Sequence, residues 1–448
     1  MVMCRSLRGV FLSCISLTLI IGCAGRKASQ DTVCVWHWMT DREPAFQELA
    51  KRYEAATGVK IEFQLFAPSE AYSQKVRAAA QGGNLPDIFG VLGEKIDFAS
   101  FVKAGHVLDL SPYMDADSGK WRNIFFAKAL AVNEFPQGNS YDVKPGIYGV
   151  PIDIMTIQML YNKDLFKGLG LNPEKPPLTF AEFLDIGRKI SATNRGGSAN
   201  NSGGKEKNMQ GLVSGWGENW MIDALASNYA FNIMGEDKVL ATIKGEVPYT
   251  DPDWIRVLTL FKQMQDSGVL ANGLVTMINK NAEQLFANQR AVFAFNGPWC
   301  VNVYKRMNPD LNYAAMLPPR ASDEYPMRIW GGAGSSFMVN ARSKNKEQAV
   351  KFLEWLTAEE QQTYLAQATS NLPANKNSLK DIPEILAEFA DDMENATHPN
   401  IWGVNEFPLV IEAFDKGIQS IIIGEKTPEE IASYVQSVKE RELAKRRR

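Results

Sequence analysis

The sequence predicts an α/β protein of two lobes, and three observations lead to this fold class. Residues 33–92 alternate between strand and helix patterns, which is typical of an open parallel sheet covered by helices on both faces. A long apolar run from Gly146 to Phe166 reads as two successive buried strands separated by a single carboxylate, Asp153. At 448 residues the chain is also too long for one ordinary hydrophobic core.

The first lobe follows from the strand and helix patterns near the start of the chain. Strands are predicted at 33–35, 59–66 and 86–92. Helices are predicted from Glu43, where apolar residues recur at i, i+3, i+4 and i+7, and from Ser69. In open sheets of this kind, ligands bind outside the carboxyl ends of the strands. The loops at 36–41, 66–70 and 93–97 are therefore candidate ligand contacts.

The apolar run predicts the point where the chain passes between lobes. Gly146 to Ile152 is predicted as the last strand of the first lobe, and Met155 to Tyr161 as the first strand of the second. A carboxylate between two apolar strands costs free energy unless a partner binds it. We therefore expect Asp153 to contact a ligand, and a hydrogen-bonding role at a hinge is the alternative. Asn162 to Asp164 is predicted to be a turn and helix cap outside the site.

The N-terminus has the features of an export signal. Arg5 and Arg8 precede an apolar run that ends at Ile21 and is too short to span a membrane. Gly22 and Cys23 follow, as in bacterial lipoprotein signals, in which the cysteine is lipidated after cleavage. The sequence thus predicts a signal at residues 1–22, lipidation at Cys23 and a tether at 23–31. The acyl chains would hold the protein on a membrane surface. An ordinary signal with an incidental cysteine is the alternative.

The remaining composition argues against several classes of function. A net charge of −3, without a basic stripe in the body of the chain, predicts no nucleic-acid partner. The three histidines have no metal-ligand spacing, and no nucleophile elbow, phosphate loop or zinc-protease motif occurs. We therefore expect no metal, no cofactor and no catalysis. Cys34 and Cys300 are predicted to be free thiols, with a disulfide between them as the alternative.

Four segments together resemble a known family. These are PDIFG from Pro86, YGVP to LYNKDLF over residues 148–166, FNGPW over residues 295–299, and the Gly-rich segment over residues 331–361. They resemble the family 1 extracellular solute-binding proteins of bacterial ABC importers, in the branch that includes maltodextrin-binding proteins. The resemblance implies capture of a carbohydrate by a monomer and its delivery to a membrane permease powered by a separate ATPase.

The resemblance also implies an architecture. It is the two-lobe periplasmic-binding-protein type II fold, with three crossover segments and a ligand cleft between the lobes. Carried onto this chain, the crossovers fall near Asp153, near 312–316 and near 335–338. The N-lobe is then expected at 32–152 plus 315–336, and the C-lobe at 153–314 plus 337–448.

Tryptophans provide the main signal for the binding site. Most of them lie in or beside loops, without the helical spacing of core residues, and a flat aromatic ring suits the apolar face of a sugar. Carboxylates and amides suit its hydroxyl groups. The predicted ligand-binding residues are Trp36, Trp38, Asp41, Glu94, Asp153, Trp216, Glu218, Trp299, Trp330, Gly331 and Trp402.

Some of these residues have an alternative structural role. Trp216, Trp330 and Trp402 can be core residues, and Asp41 can cap the helix that follows it. Trp299 aligns with a sugar-stacking tryptophan of the maltodextrin branch. Three alternative functions remain open at this stage: a ligand sensor that docks a membrane receptor, a binding protein for a solute other than a sugar, and a glycosidase. The glycosidase would need two carboxylates flanking one bond.

Overall fold

The computed structural model describes residues 32–67, 69–92, 95–139, 141–196, 208–391 and 393–446. The predicted signal, the tether, the lipidation site Cys23 and the predicted ligand residue Glu94 lie outside these residues.

Most of the strands form two sheets, one in each lobe. The strands are β1 Thr32–His37, β2 Lys60–Leu65, β3 Ile88–Phe89, β4 Glu134–Phe135, β5 Gly146–Ile147, β6 Val150–Pro151, β7 Asp153–Asn162, β8 Gln210–Val213, β9 Ala291–Asn296, β10 Tyr313–Met316, β11 Trp330–Ala333, β12 Ser336–Val339 and β13 Leu372–Pro373.

Helices cover both sheets. They are α1 Glu43–Thr57, α2 Ser69–Gly82, α3 Lys95–Lys103, α4 Ser111–Met114, α5 Ala116–Gly119, α6 Ala127–Ala131, α7 Lys163–Gly168, α8 Phe180–Gly196, α9 Trp220–Lys244, α10 Pro252–Ser267, α11 Asn279–Ala287, α12 Cys300–Met307, α13 Lys346–Leu356, α14 Glu359–Thr369, α15 Glu384–Asp391, α16 Trp402–Asn405, α17 Pro408–Ile422 and α18 Pro428–Arg446.

The first lobe is a five-stranded sheet in the order β2-β1-β3-β12-β6. β1 pairs in parallel with β2 and β3, whereas β12 runs antiparallel to β3 and β6. One face packs against α1 and α13 through Phe46 and Phe352, and the other carries Tyr72 and Phe98 from α2 and α3. The predicted open sheet with helices on both faces is confirmed.

The second lobe is organised around β7. Nine of its ten residues are buried, because its first half pairs with β11 and β13 and its second half with β9 and β10. β8 completes this sheet by pairing in parallel with β9. At the far end of β7, the Asn162 side chain accepts hydrogen bonds from the N–H groups of Asp164 and Leu165, at 3.0 and 2.9 Å. The predicted turn and cap is therefore confirmed.

Two predicted crossovers are confirmed and the third is wrong. The chain passes from the first sheet to the second between β6 and β7, and returns between β11 and β12. The segment at 312–316 is no crossover, because β10 pairs along its length with β7 inside the second sheet. The third passage follows β13, through a 3-10 helix at Lys376–Asp381 that packs on α14, and reaches α15, which packs on β7 and β10.

The expected lobe boundaries after residue 312 change accordingly. Residues 315–333 lie with the second lobe, since β10 and β11 both pair with β7. β12, α13 and α14 lie with the first lobe, where Phe337, Leu353 and Leu365 join the core beneath α1. The expected N-lobe segment 315–336 is therefore wrong, as is the assignment of all of 337–448 to the C-lobe.

Candidate ligand-binding cleft

The cleft lies where strand ends of both lobes face the crossovers. β7 starts at the first crossover and runs away from it, and β9 is antiparallel to β7. The carboxyl ends of β9 and of its parallel neighbour β8 therefore point back towards the other lobe. In the first lobe, the carboxyl end of β3 lies beside the start of β12, which follows the second crossover. The loops after β1, β3, β8 and β9 thus border one cleft, as expected for an open α/β sheet.

Three half-buried tryptophans gather on the second lobe's wall of this cleft. Trp220 starts α9 after β8, Trp299 follows β9, and Trp330 starts β11. The ring of Trp220 lies 6.1 Å from that of Trp299 and 5.8 Å from that of Trp330, centroid to centroid. We call Trp220, Trp299 and Trp330 the tryptophan cluster. It offers partly exposed aromatic faces at several angles, an arrangement that suits flat apolar ligand surfaces.

The loop after β9 fixes the position of Trp299. Gly297 is required there, because a Cβ atom on it would lie 2.1 Å from the indole ring. Beside it, one carboxylate oxygen of Glu283 accepts hydrogen bonds from Asn279 and Asn296, at 2.9 and 3.3 Å. Burial raises the pKa of Glu283, while the side chains of Asn296, Asn279 and Trp299 oppose that rise. The carboxylate of Glu283 therefore lies beside the indole of Trp299.

The first lobe contributes a second aromatic wall. Trp38 follows β1 and lies against Gly90, where a Cβ atom would come within 2.3 Å of its ring. Its ring lies 5.1 Å from that of Tyr72. A concave pocket of about 670 Å³ is lined by Trp38, Met39, Thr40, Asp41, Arg42, Ala67 and Ser335. The predicted ligand residues Trp38 and Asp41 therefore share one surface beside the second crossover.

Trp36 lies on β1, on the face opposite His37. Its ring is 5.1 Å from that of Phe66, and the ammonium of Lys75 lies 4.6 Å from its centroid. The rings of Trp36 and Trp38 both belong to the apolar cluster beneath α2 and α3.

Asp153 lies at the hinge, and both of its carboxylate oxygens are bound by other residues of the protein. One carboxylate oxygen pairs with Arg42, and the other accepts the N–H of Ser335. Arg42 also donates to the Ser335 hydroxyl at 3.1 Å, which ties both crossovers to the loop after β1. Burial raises the pKa of Asp153, against the opposing effects of Arg42 and Ser335. The hinge alternative thus matches the structure, and a ligand contact at Asp153 stays a prediction.

Two predicted ligand residues are core residues. The side chains of Trp216 and Trp402 are 0% exposed. Trp216 packs against Phe261, and Trp402 donates its indole N–H to Tyr249 at 2.7 Å. Their place in the second-lobe core contradicts the prediction of a ligand contact. Trp216 follows Gly211 and Gly215, and Trp402 follows Pro399, which made both resemble loop residues in the sequence.

Gly331 and Glu218 have structural partners. Gly331 is buried in β11, and its carbonyl oxygen accepts the N–H of His398 at 2.9 Å. A Cβ atom on Gly331 would lie 2.5 Å from the carbonyl oxygen of Met155, so close strand packing explains this glycine. Glu218 is exposed and accepts the backbone N–H of Asn279 at 2.8 Å, which caps α11.

Sequence reasoning did not select three residues that the structure places at the cleft. Trp220 was not among the predicted ligand-binding residues, and its position as the first residue of α9 brings it to the cluster. His398 lies 5.7 Å from Trp330, ring to ring, although the two are far apart in sequence. Lys95 falls within the candidate loop at 93–97 but was not among the predicted ligand-binding residues, and in the structure it starts α3.

Comparison with known proteins establishes the family. A family model described as bacterial extracellular solute-binding protein matches residues 48–397. This chain belongs to that family. The resemblance drawn from the four sequence segments is thereby confirmed, and the family consists of binding proteins.

Relatives and solved structures agree with this solute-binding assignment. The galactooligosaccharide-binding protein of Bacillus subtilis is 22% identical over 437 residues, covering 94% of this chain and 93% of that protein. A maltooligosaccharide ABC transporter solute-binding lipoprotein of Streptococcus pneumoniae is 24% identical, covering 73% and 69% of the two chains. The structure of a chitin oligosaccharide binding protein superposes with a TM-score of 0.71 at 23% identity, covering 91% of this chain and 98% of that one. The two-lobe type II fold is confirmed.

Three further observations bear on the expected properties of this solute-binding protein. Among the described residues, no group of three or more His, Cys, Asp or Glu side chains is placed to hold a metal ion. Within that same part of the chain, no helix has the length and apolar character needed to span a membrane. Cys34 and Cys300 are free thiols, as expected.

Proposed function

We propose that this protein captures an oligosaccharide between its lobes and delivers it to the permease subunits of an ABC importer, acting as a monomer. The observation that carries this proposal is the tryptophan cluster, set at the carboxyl ends of β8 and β9 and facing a lobe that presents Trp38. Aromatic faces on both sides of one cleft suit the apolar faces of successive sugar rings.

The energetics require several such contacts. An aromatic side chain buries about 150–250 Å² in total. If a sugar ring covers about a third of that area, at about 25 cal/mol per Å², each stack contributes about 1–2 kcal/mol. Micromolar affinity corresponds to about 8 kcal/mol. Three stacked rings on one lobe, a fourth on the other and hydrogen bonds formed on closure together reach that range.

The relatives support the same ligand class. Proteins that match this chain over most of its length are named for galactooligosaccharides and maltooligosaccharides, and similar structures are described with chitin oligosaccharide and raffinose. The different sugars in these names support a carbohydrate in general and favour no single one.

Export and anchoring belong to the same proposal. The basic start, the apolar run and Gly22-Cys23 support cleavage before Cys23 and lipidation of its thiol. A relative described as a lipoprotein supports this. The protein would then be held on a membrane by acyl chains, facing the periplasm or the extracellular side. Mass spectrometry of the protein from its own cells should find a diacylated N-terminal Cys23, and an unmodified N-terminus would contradict the anchor.

A ligand panel tests the proposed function. Purified protein that lacks the signal should show a raised melting temperature with one class of oligosaccharide, since a ligand that binds only the folded state stabilises it. Chromatography after incubation should return the sugar unchanged, which excludes hydrolysis. Melting shifts with an amino acid, a polyamine or phosphate, and none with any sugar, would contradict the carbohydrate assignment.

A further inference from the structure

The cleft contains a polar site next to the tryptophan cluster. β11 runs beside residues 396–398: the N–H of Thr397 donates to the carbonyl of Ile329 at 2.9 Å, and the N–H of His398 to that of Gly331 at 2.9 Å. The imidazole lies so close to Gly332 that a Cβ atom there would be 1.8 Å from its Nδ1 atom. Glycine at 332 therefore permits this packing of the histidine against β11.

Three side-chain atoms at this site are buried and lack a hydrogen-bond partner within the described part of the chain. They are Nε1 of Trp330, Oγ1 of Thr397 and Nδ1 of His398. Buried polar atoms are rarely left in this state in native proteins, and each such atom calls for an explanation. Because Trp330 also belongs to the tryptophan cluster, these buried polar atoms lie next to the surface proposed to bind sugar.

The first lobe places two lysines beside the same site. The ammonium of Lys128 donates to the carbonyl of Ala396 across the cleft, at 2.6 Å. The ammonium of Lys95 donates to the carbonyls of Val132 and Glu134, the latter at 2.9 Å. Burial lowers the pKa of His398 to about 3, and the positive charges of Lys95 and Lys128 act in the same direction.

The electrostatics of Lys95 are dominated by desolvation. Burial lowers its pKa to about 7, and the nearby carboxylate of Glu134 opposes that shift. That carboxylate also forms an ion pair with Arg122, at 3.1 Å. Protonated Lys95 is thus a buried cation near neutral pH, and an added anion would stabilise its charged form.

The two ammonium groups and the indole N–H at this site only donate hydrogen bonds, whereas the Thr397 hydroxyl and the neutral His398 imidazole can each donate or accept. The nearby carboxylates have partners within the protein: Glu283 with Asn279 and Asn296, and Asp153 with Arg42. A neutral sugar hydroxyl is both donor and acceptor, whereas a carboxylate or sulfate ester is an acceptor with negative charge.

We propose that Lys95, Lys128, Trp330, Thr397 and His398 form a subsite for a negatively charged group on the oligosaccharide, a carboxylate or a sulfate ester. The ligand class is then an acidic oligosaccharide, whose adjacent sugar ring stacks on the tryptophan cluster. This inference rests on the proposed carbohydrate function and narrows it.

Calorimetric titration of the signal-free protein at pH 7 tests the proposal. The probes are tri- and tetrasaccharides of three kinds: uronides, sulfate esters and neutral sugars of matching ring stereochemistry. One charge-assisted contact predicts that the acidic ligand binds about 10- to 100-fold more tightly than its neutral counterpart. The uronide and sulfate arms distinguish the two kinds of anion.

The pH dependence provides a readout in the unaltered protein. Because Lys95 loses its proton near pH 7, affinity for the acidic ligand should fall between pH 6 and pH 8.5, while affinity for a neutral sugar stays constant. The ligand's own carboxylate or sulfate is ionised throughout that range.

Variants separate the subsite from general charge effects. Lys95→Met should remove most of the preference for the acidic ligand over its neutral counterpart. Lys262→Met removes the same charge from an exposed position on the outer helix α10, where Lys262 pairs with Asp266, and should preserve the preference.

The results of these titrations distinguish failure of the acidic subsite from failure of the proposed function. Neutral sugars that bind as tightly as acidic ones, or more tightly, would overturn the acidic subsite and leave carbohydrate binding in place. Equal weakening of both ligand kinds by Lys95→Met would overturn it as well. Binding of no sugar of any kind would instead overturn the proposed function.

Discussion

At the scale of single residues, six of the ten tryptophans form two groups that the sequence does not distinguish. Trp216, Trp254 and Trp402 are fully buried, whereas Trp220, Trp299 and Trp330 are half-buried at strand ends. All of the latter lie near glycine or proline, and so do Trp216 and Trp402. Local composition indicates a nearby loop, but burial depends on which helices pack over that loop. Here Trp402, the first residue of α16, packs against Trp254 of α10 and Phe414 of α17.

This division predicts opposite effects of tryptophan removal on stability. Trp402→Ala leaves a cavity in the second-lobe core and removes the hydrogen bond to Tyr249, so we expect the free energy of unfolding to fall by about 3–5 kcal/mol. Trp299→Ala should lower it by less than about 1.5 kcal/mol, because that ring is already partly solvated. Urea denaturation measures both. A larger loss with Trp299→Ala than with Trp402→Ala would show that the two roles are reversed.

For Asp153, the sequence predicted the need for a binding partner but not the identity of that partner. The argument that a carboxylate in an apolar crossover needs a partner was right, but the partner is Arg42, which is distant in sequence and could not be identified from it.

Breaking that ion pair should destabilise the hinge. Asp153→Asn leaves the Arg42 guanidinium buried without its main counter-charge, so we expect a loss of about 3–5 kcal/mol in the free energy of unfolding. The double variant Arg42→Met/Asp153→Asn should recover part of this loss. Denaturant titration of the wild type, the two single variants and the double variant gives the coupling. Independent, additive effects of the two substitutions would contradict the pairing.

At the scale of elements, short strands could be found in the sequence more readily than their partners. The strand at β7 was predicted, but the sheet that β10 joins depends on its register with β7. The third passage between lobes involves β13, which has only two residues, and a 3-10 helix. Neither leaves a periodic pattern, so the lobe boundaries after residue 312 could not be derived from periodicity.

The contact between α9 and α17 contains two buried carboxyl groups, those of Asp223 and Asp415. Asp223 lies against Gly403, where a Cβ atom would be 2.8 Å from one carboxylate oxygen, and Asp415 has an oxygen without a hydrogen-bond partner in the described structure. Burial raises the pKa of Asp223 to about 8. Burial also raises the pKa of Asp415, and the neighbouring Asp223 adds to that rise.

These shifts predict that stability falls as pH rises. Between about pH 4 and pH 8 the folded protein retains a proton that the unfolded chain has lost, so deprotonation favours unfolding. The slope is at most about 1.4 kcal/mol per pH unit for each such proton. We expect urea midpoints to decrease from pH 5 to pH 8.5, and Asp415→Asn to flatten that decrease. A midpoint that rises over this range in the wild-type protein would contradict the assignment.

At the scale of the whole molecule, the lobes touch on both sides of the cleft. The Tyr141 hydroxyl donates to the side-chain oxygen of Asn405 at 3.2 Å, and Lys128 reaches the carbonyl of Ala396. These contacts join the first lobe to the second outside the crossovers. Contacts of this kind favour the closed arrangement, and a ligand between the lobes would shift the population towards it.

Tyr141→Phe tests the link between closure and affinity. Removing one hydrogen bond between the lobes should weaken ligand binding by about 2- to 10-fold, the equivalent of a net hydrogen bond. The free energy of unfolding should change little, since the contact is not part of either core. Titration calorimetry and urea denaturation report the two quantities, and unchanged affinity would show that this contact has no share in closure.

The central claim is that a carbohydrate binds on the tryptophan cluster, and its most direct test is a pair of calorimetric titrations. The oligosaccharide that gives the largest melting shift is titrated into Trp299→Ala and into Trp355→Ala, a half-buried tryptophan that packs on Tyr53 and Phe352 in the first lobe. We predict that Trp299→Ala weakens binding by about 1–2 kcal/mol, or about 5- to 30-fold, and that Trp355→Ala leaves the affinity unchanged. Equal affinity in the wild type and Trp299→Ala would contradict the claim.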